Sequence, residues 1–298
     1  MAIIPAFFMD AVVSLGISMP NNEKLWVGTG FLVGRKEESN ADQSTVYIIT
    51  NKHVINNQKV LYVRFSNDGS SGVKDLPMSL VDDSGVQLFS AHQHPDVDVV
   101  AIQIIPRIII DNHLRLSFFD LTDHALSLKQ MKDTGVDEGS LVYALGFPMN
   151  LVDNSVKAPI CRLGCISRVE DTFENPQKAT KFLVDAQTFP GNSGGPIVSR
   201  PEHISIDGTP YNSSANLIGI VSAYIPYREV LYSRQTGRDR MIQEENSGLT
   251  VVHPVDRIKE VVEAEYVRAR SKLVPRQSEV APVRAAEEIP SAKEEVVV

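Results

Sequence analysis

The chain has 298 residues, of which 43% are hydrophobic and 22% are charged, and its formal net charge is -8. This is the composition of a globular protein, and the length suits one large domain or two coupled units. The acidic balance argues against nucleic-acid binding, which usually shows as a basic patch. No stretch approaches the roughly 20 apolar residues of a transmembrane helix, so no membrane partner is expected.

The N-terminus and the cysteines bear on the compartment. The first ten residues are apolar, but they lack a basic start and Asp10 interrupts them, so they do not fit a secretory signal peptide. Cys161 and Cys165 are predicted to lie on one strand, ~13 Å apart, which is too far for a disulfide. We therefore predict a cytoplasmic protein whose two cysteines serve in packing.

Short apolar or alternating runs, separated by turn residues, occupy the first part of the chain. They predict strands at 11–18, 25–33, 47–50, 60–65, 86–89 and 99–104. The polar run 37–44 is predicted to be a hairpin loop, and 66–72 is predicted to be a second loop. Short strands at close intervals are typical of an all-β barrel or sandwich.

The second part repeats this pattern after residues 111–139, a polar and mixed stretch that we interpret as a crossover. Strands are predicted at 141–145, 157–166, 181–186, 197–198, 217–222 and 248–253. Pro254 and Asp256 are helix-start signals, and apolar residues at helical spacing from 255 to 262 predict a closing helix. Residues 272–298 are rich in Pro, Ala, Val and Glu without periodicity, which predicts a disordered tail.

The most distinctive stretch is FPGNSGGPIV at residues 189–198. The glycines permit backbone angles that other residues resist, and they let a ligand approach the main chain. A turn of this kind can aim the N–H groups of Gly191 and Ser193 at one point, as an oxyanion hole requires. We assign the candidate oxyanion hole to Gly191, Asn192 and Ser193. The same composition also suits an ordinary turn, so the rest of the chain has to decide.

A serine nucleophile needs a base, and the base needs an orienting acid. His53 follows the apolar run 46–50 at the point where the chain leaves a predicted strand. Asp98 stands directly before the apolar strand 99–104, and Asp96 is a rival acid two residues earlier on the same face. The candidate residues therefore occur in the order His, Asp, Ser.

Six segments, in sequence order, resemble a trypsin-like (chymotrypsin-fold) serine peptidase, nearest to the HtrA/Deg-type protease domain. They read GTGFLV at 28–33, TNKHV at 50–54, DVVAI at 98–102, YALGFP at 143–148, GNSGGP at 191–196 and LIGI at 217–220. The order His, Asp, Ser is that of chymotrypsin and differs from those of subtilisin and the α/β-hydrolases. The resemblance implies an all-β fold of two six-stranded antiparallel β-barrels with a C-terminal helix.

The resemblance also suggests how the chain is divided. We predict an N-terminal barrel half at 1–125, a C-terminal barrel half with the closing helix at 126–271, and the disordered tail at 272–298. No second domain is expected after the helix, so the PDZ modules of many HtrA relatives are predicted to be absent.

The resemblance implies a serine endopeptidase that acts through an acyl-enzyme and needs no cofactor or metal. Ser193 is then the nucleophile, His53 the general base and Asp98 the orienting acid. Asp98 is preferred to Asp96 because the family's aspartate directly precedes the apolar strand. Asn192 replaces the aspartate that pairs with a new N-terminus in zymogen-activated trypsins, so activation by N-terminal cleavage is not expected.

The resemblance further implies a specificity pocket next to the serine. Its predicted walls are Gln187, Thr188, Phe189, Ser222, Ala223, Tyr224 and Gly248. No acidic residue occupies the place of trypsin's arginine-binding aspartate, which favours a small or medium apolar P1 residue. Residues 222–224 are expected to offer an edge to which a peptide adds as a strand.

Residues 225–247 are predicted to form a long connection between two pocket-lining strands. Loops of this length are usually functional or disordered. One hypothesis is that the connection covers or orders the pocket and so gates activity. The alternative is a solvated surface loop.

Three functions remain open at this point. The first is an active endopeptidase with peptide or protein substrates. The second is a latent or regulatory protease-like module activated by a partner or by oligomerisation, and the third is an esterase-like hydrolase. The other histidines, His253 among them, lack a comparable context. His92 and His94 flank one loop without a third ligand nearby, so no metal site is predicted.

Overall fold

The computed structural model describes residues 4–20, 23–202 and 212–273. In the N-terminal half the strands are β1 (Val12–Ser18), β2 (Lys24–Glu37), β3 (Asn40–Thr50), β4 (Val60–Ser66), β5 (Val73–Ser79), β6 (Ser90–Ala91), β7 (Val100–Gln103) and β8 (Phe119–Asp120). They form one sheet in the order β5-β4-β1-β2-β3-β7-β6, with β8 added parallel to β2 and the other neighbours antiparallel.

This half differs from the predicted six strands in ways that have local causes. Strand β5 carries Pro77 and the charged pair Lys74 and Asp75, and its residues are intermediate or exposed, as is typical of an edge strand. The predicted strand at 86–89 is wrong, because the Asp82 carboxylate accepts the N–H groups of Ser84 and Val86 in a turn. The predicted loop at 37–44 is also wrong, because β2 and β3 continue through it and leave only a tight turn.

The C-terminal half is a closed six-stranded barrel. Its strands are β9 (Leu141–Gly146), β10 (Ile160–Arg168), β11 (Phe182–Asp185), β12 (Pro196–Ser199), β13 (Leu217–Tyr232) and β14 (Asp239–Pro254). They close in the order β10-β11-β14-β13-β12-β9, which confirms the predicted C-terminal barrel. Cys161 and Cys165 both lie on β10 as free thiols, as predicted, but Cys161 is exposed, so its predicted role in packing is wrong.

Helices connect and close the two halves. The short ones are α1 (Ala6–Ala11), α2 (Lys52–Ile55), α3 (Pro106–Asp111), α4 (Leu128–Thr134) and α5 (Glu170–Phe173), with a 3-10 turn at Pro148–Asn150. The last helix, α6 (Val255–Leu273), confirms the predicted closing helix. None of the helices in the described ranges is long and apolar enough to cross a bilayer.

One apolar cluster joins the two halves beneath α6. It contains Phe31 and Val99 from the first half, Leu145 and Ile220 from the second, and Val261 from the helix, all of them at most 1% exposed. Burying such side chains provides the main driving force for docking the halves, at roughly 25 cal/mol per Å². The docked seam is where the two halves can contribute to one site.

The structure differs from the prediction in the region 225–247 and at the start of the predicted tail. Residues 225–247 are not a loop, because β13 and β14 continue to pair from Pro226↔Asn246 outward to Tyr232↔Asp239. Helix α6 extends to Leu273, two residues into the predicted tail, and the rest of 272–298 lies outside the described residues. We propose the division at 125/126, between β8 and α4, as the boundary between the halves.

Candidate active site

His53 and Asp98 meet at the seam between the halves. His53 lies on α2, directly after β3, and Asp98 lies in the loop that leads into β7. The His53 Nδ1–H group donates to Asp98 Oδ2 at 2.5 Å, and the His53 main-chain N–H donates to Asp98 Oδ1 at 3.2 Å. With Nδ1 occupied as a donor, Nε2 is left as the acceptor nitrogen of the neutral ring.

The electrostatics of Asp98 favour its charged form. Burial alone would raise the pKa of the Asp98 carboxyl, but hydrogen bonds and charge from His53, together with main-chain N–H groups, outweigh burial and lower that pKa. Asp96 is exposed, and its main-chain N–H donates to His94 Nδ1. The geometry therefore brings Asp98, and not Asp96, to the histidine.

Ser193 sits on the turn that leads into β12. The turn is closed by Asn192, whose main-chain N–H donates to Phe189 O at 2.9 Å and whose Oδ1 accepts the Phe189 N–H at 3.0 Å. Gly191 and Gly194 have φ of 98° and 84°, in the left-handed region that favours glycine. At Gly194 a Cβ would lie 2.0 Å from Thr29 O, so only glycine fits there.

The turn presents main-chain donors. Pro190 O accepts the Met149 N–H at 2.6 Å, and in a trans peptide the N–H of Gly191 then points the opposite way. Among the described hydrogen bonds, the N–H groups of Gly191 and Ser193 have no protein acceptor, whereas the N–H of Asn192 is bonded within the turn. The structure thus leaves two of the three predicted oxyanion-hole residues as free donors.

Ser193, His53 and Asp98 line the same cleft, which has a volume of about 270 Å³. The Ser193 hydroxyl donates to Ser222 O at 3.2 Å, and no hydrogen bond to His53 is present among the described contacts. In unliganded sites such hydrogen bonds are often long or unmade and tighten with substrate.

Five predicted pocket residues line this cleft. They are Thr188, Phe189, Ser222, Ala223 and Tyr224, and sequence reasoning missed Pro190 and Val221 beside them. Gln187 and Gly248 do not line the cleft. Gly248 lies behind the wall, where its carbonyl accepts the Ala186 N–H at 3.0 Å.

The Thr188 wall is hydrogen-bonded from behind. Thr250 Oγ1–H donates to Ala186 O, and Thr188 Oγ1–H donates to Thr250 Oγ1, each at 2.7 Å. The Asn246 amide donates to Thr188 O at 2.6 Å. These bonds fix the pocket wall to β14.

The structure also shows two partners of Asp98 that sequence reasoning missed. The Asn51 amide donates to Asp98 O at 2.6 Å, and the Asp98 N–H donates to His253 Nε2 at 3.0 Å. The sequence context of His253 gave no reason to assign it a role, and the structure places its ring in contact with the candidate acid. The available signal was a histidine in the otherwise apolar run VVHPV, at the buried end of β14.

The His92 and His94 loop is held by other contacts. His92 Nε2 lies 2.6 Å from Glu260 Oε2, and the Lys52 ammonium donates to His92 O at 2.7 Å. Within the described ranges, no three His, Cys, Asp or Glu side chains are grouped as metal ligands would be.

Comparison with known proteins identifies the family. The model of the trypsin-like peptidase domain matches residues 28–203, which is more than half of the chain. The protein therefore belongs to the trypsin-like peptidase domain family. No curated protein matches the chain.

The solved structures that are similar to this chain include two proteases. One is the apo form of the MamO protease domain from Magnetospirillum magneticum, with a TM-score of 0.45 and 18% identity, covering 85% of this chain and 96% of that chain. The other is the inactive form of the Rv3671c protease, with a TM-score of 0.43 and 15% identity, covering 87% and 90% respectively.

Proposed function

We propose that the protein is a serine endopeptidase that works through His53, Asp98 and Ser193. The observation that carries this proposal is the Asp98–His53 hydrogen bond at the edge of the cleft that also contains the Ser193 hydroxyl. Asp98 orients the ring and stabilises its protonated form, which leaves Nε2 to act as the base. The reaction needs no cofactor.

In the proposed reaction, Ser193 Oγ attacks the scissile carbonyl carbon while His53 Nε2 takes the hydroxyl proton. The carbonyl oxygen becomes an oxyanion, to which the free N–H groups of Gly191 and Ser193 can donate. The C–N bond then breaks, His53 gives its proton to the leaving amine, and Ser193 carries an ester. Water, activated by His53, hydrolyses this acyl-enzyme and restores the serine.

Substrate binding can also release the nucleophile. A peptide added as a strand along residues 222–224 offers its own N–H groups to that edge. A substrate N–H that bonds to Ser222 O displaces the Ser193 hydroxyl, which is then free to turn toward His53. The cleft walls Phe189, Val221 and Ala223 suit a small or medium apolar P1 side chain.

A latent or partner-activated peptidase is the second candidate. It is favoured by one observation, the hydrogen bond from Ser193 to Ser222 O in place of one to His53. In this version a partner or oligomer aligns the serine. For either version we propose a cytoplasmic location, which the low cysteine content of the chain supports, since it has only two cysteines.

The first test is labelling with a fluorophosphonate probe, with the modified residue mapped by mass spectrometry. We expect labelling at Ser193 that is lost in Ser193→Ala and His53→Ala. Asp98→Asn should slow labelling by about 10⁴-fold, whereas the matched control Asp96→Asn should leave it unchanged. If folded protein is not labelled until a partner is added, the latent version replaces the active one.

A further inference from the structure

The main chain of Asp98 is held from both sides by buried side chains. Asn51 precedes α2, in the same half of the molecule as Asp98, and donates to the Asp98 carbonyl. His253 lies on β14, in the closed barrel of the other half, and accepts the Asp98 N–H. His253 therefore connects the candidate acid directly to the barrel that carries Ser193.

The hydrogen bonds of His253 define its tautomer. Its Nδ1 lies 2.6 Å from Thr180 O, which can only accept, so Nδ1 carries the proton. Nε2 then has a lone pair that faces the Asp98 N–H at 3.0 Å. The neutral ring satisfies both partners, whereas a doubly protonated ring would place an N–H against an N–H.

The surroundings of His253 keep the ring neutral. The residue is 2% exposed, and burial lowers the pKa of its imidazole. The positive charges that His92 and Lys181 can carry lower this pKa further, while Asp98 and the bond to Thr180 O raise it. At neutral pH the acceptor nitrogen is therefore available to Asp98.

We propose that His253 is a positioning residue for the catalytic triad, a proposal that rests on the function proposed above. The triad is divided between the halves, with His53 and Asp98 on one and Ser193 on the other. Displacements of about 1 Å in such a site cost about a hundredfold in rate. The Asp98–His253 bond fixes the acid relative to the barrel of the nucleophile, and so sets where His53 stands.

Four variants separate this role from simple packing. His253→Leu removes the acceptor. His253→Gln keeps a side-chain oxygen that can reach the Asp98 N–H, and His253→Asn is equally polar but one carbon shorter. The control is His124→Leu, because His124 Nδ1 likewise accepts the N–H of an aspartate, Asp120, at 3.0 Å.

The activity readout is the pH profile of kcat/KM, with the concentration of active sites determined separately by fluorophosphonate labelling. For His253→Leu we expect a tenfold to hundredfold loss, about as large as for a displacement of 1 Å, carried by kcat with KM little changed. We also expect the acid limb to move to lower pH, because a displaced Asp98 no longer stabilises the protonated base. His253→Gln should recover most of the activity, His253→Asn should not, and His124→Leu should match wild type.

A second readout does not depend on activity. In the Ser193→Ala background, proton NMR should show the downfield resonance of the His53 Nδ1–H that is bonded to Asp98. We expect this resonance to disappear in His253→Leu and His253→Asn and to persist in His253→Gln and His124→Leu. If His253→Leu does not fold, the Gln and Asn pair decides.

The two proposals fail in distinguishable ways. A wild-type protein without Ser193-dependent labelling overturns the proposed function, and the NMR series still tests the positioning role. An active wild type whose His253 variants keep the acid limb and the resonance overturns the role of His253. Equal effects in the His253 variants and His124→Leu would also overturn it, since that result indicates a general loss of packing.

Discussion

Strands β13 and β14 are buried in the barrel in their inner part and exposed to solvent in their outer part. The outer part shows strand pairing without a buried core. In the inner part, residues 217–222 of β13 are buried, with 217–220 paired with β12 on one side and 219–221 paired with β14 on the other. In the outer part, from Pro226 to Tyr232, β13 pairs with β14 only, and its side chains are mostly exposed. We call the outer part, residues 226–246, the ribbon.

The difference between the parts lies in burial. Val230, Leu231 and Ile242 of the ribbon are 47%, 48% and 61% exposed, whereas Ile220 of the inner part is fully buried. An isolated two-stranded hairpin is marginal in water, since hydrogen bonds there replace equivalent bonds to solvent. The inner part therefore belongs to the core, whereas the ribbon is expected to contribute little to the stability of the fold.

The contrast bears on the hypothesis that residues 225–247 gate the pocket. Among the described residues, none that lines the cleft comes from the ribbon. Among the described hydrogen bonds, the ribbon is joined to the pocket wall through its base, where Asn246 donates to Thr188 O and accepts the Gly248 N–H. Any influence on the pocket is expected to act through that base.

Truncating a buried side chain should have the largest effect. Ile220→Ala is expected to lower the free energy of unfolding by about 2–5 kcal/mol, because it leaves a cavity in the apolar cluster that joins the two halves. The matched control is Ile242→Ala on the ribbon, expected within about 0.5 kcal/mol of wild type. Guanidinium unfolding measures both, and equal losses would contradict the division into core and ribbon.

The base of the ribbon should give the next largest effect. Asn246→Ala removes the donor to Thr188 O and the acceptor of the Gly248 N–H. We expect a loss of about 1–2 kcal/mol in unfolding free energy and a changed P1 preference, because the pocket wall loses its support. Profiling with a peptide library checks this, with Gln243→Ala, farther out on the ribbon, as the control.

Removing the ribbon should matter less than changing its base. Replacing residues 227–245 with Asn-Gly joins Pro226 to Asn246, which are already paired, through a favoured hairpin turn. We expect unfolding free energy within about 1 kcal/mol of wild type and unchanged fluorophosphonate labelling, because the barrel and cleft are intact. A large fall in labelling would support the gating hypothesis instead.

The smallest effect is expected from the ion pair across the ribbon. Arg228 Nε lies 2.7 Å from Glu244 Oε1, and the two side chains are 64% and 47% exposed. A double-mutant cycle with Arg228→Ala and Glu244→Ala should give a coupling below about 0.5 kcal/mol that falls with salt. A coupling above about 1.5 kcal/mol would show that charge pairs hold the ribbon more strongly than its exposure indicates.

Local sequence patterns predicted those strands and helices whose own residues are apolar at strand or helix spacing. Apolar runs placed the inner strands, and the spacing from Val255 to Val262 placed the closing helix. Patterns failed where stability comes from neighbours. Strand β5, with Pro77 and its charges, is stabilised by pairing along β4. The ribbon has charges between its apolar residues, so its pairing was not visible in either strand alone.

The sequence by itself determined the turn around Ser193, because positive φ at Gly191 and Gly194 leaves few other residues possible, and it set the order of the candidate triad. The sequence also favoured Asp98 over Asp96, and the N–H groups of Gly191 and Ser193 as donors. Only the tertiary structure decided the contacts that position Asp98, which are those with His53, Asn51 and His253. These contacts join residues up to 155 positions apart. They depend on how the two halves dock. A buried hydrogen bond between the halves cannot be recognised from the local sequence of either partner.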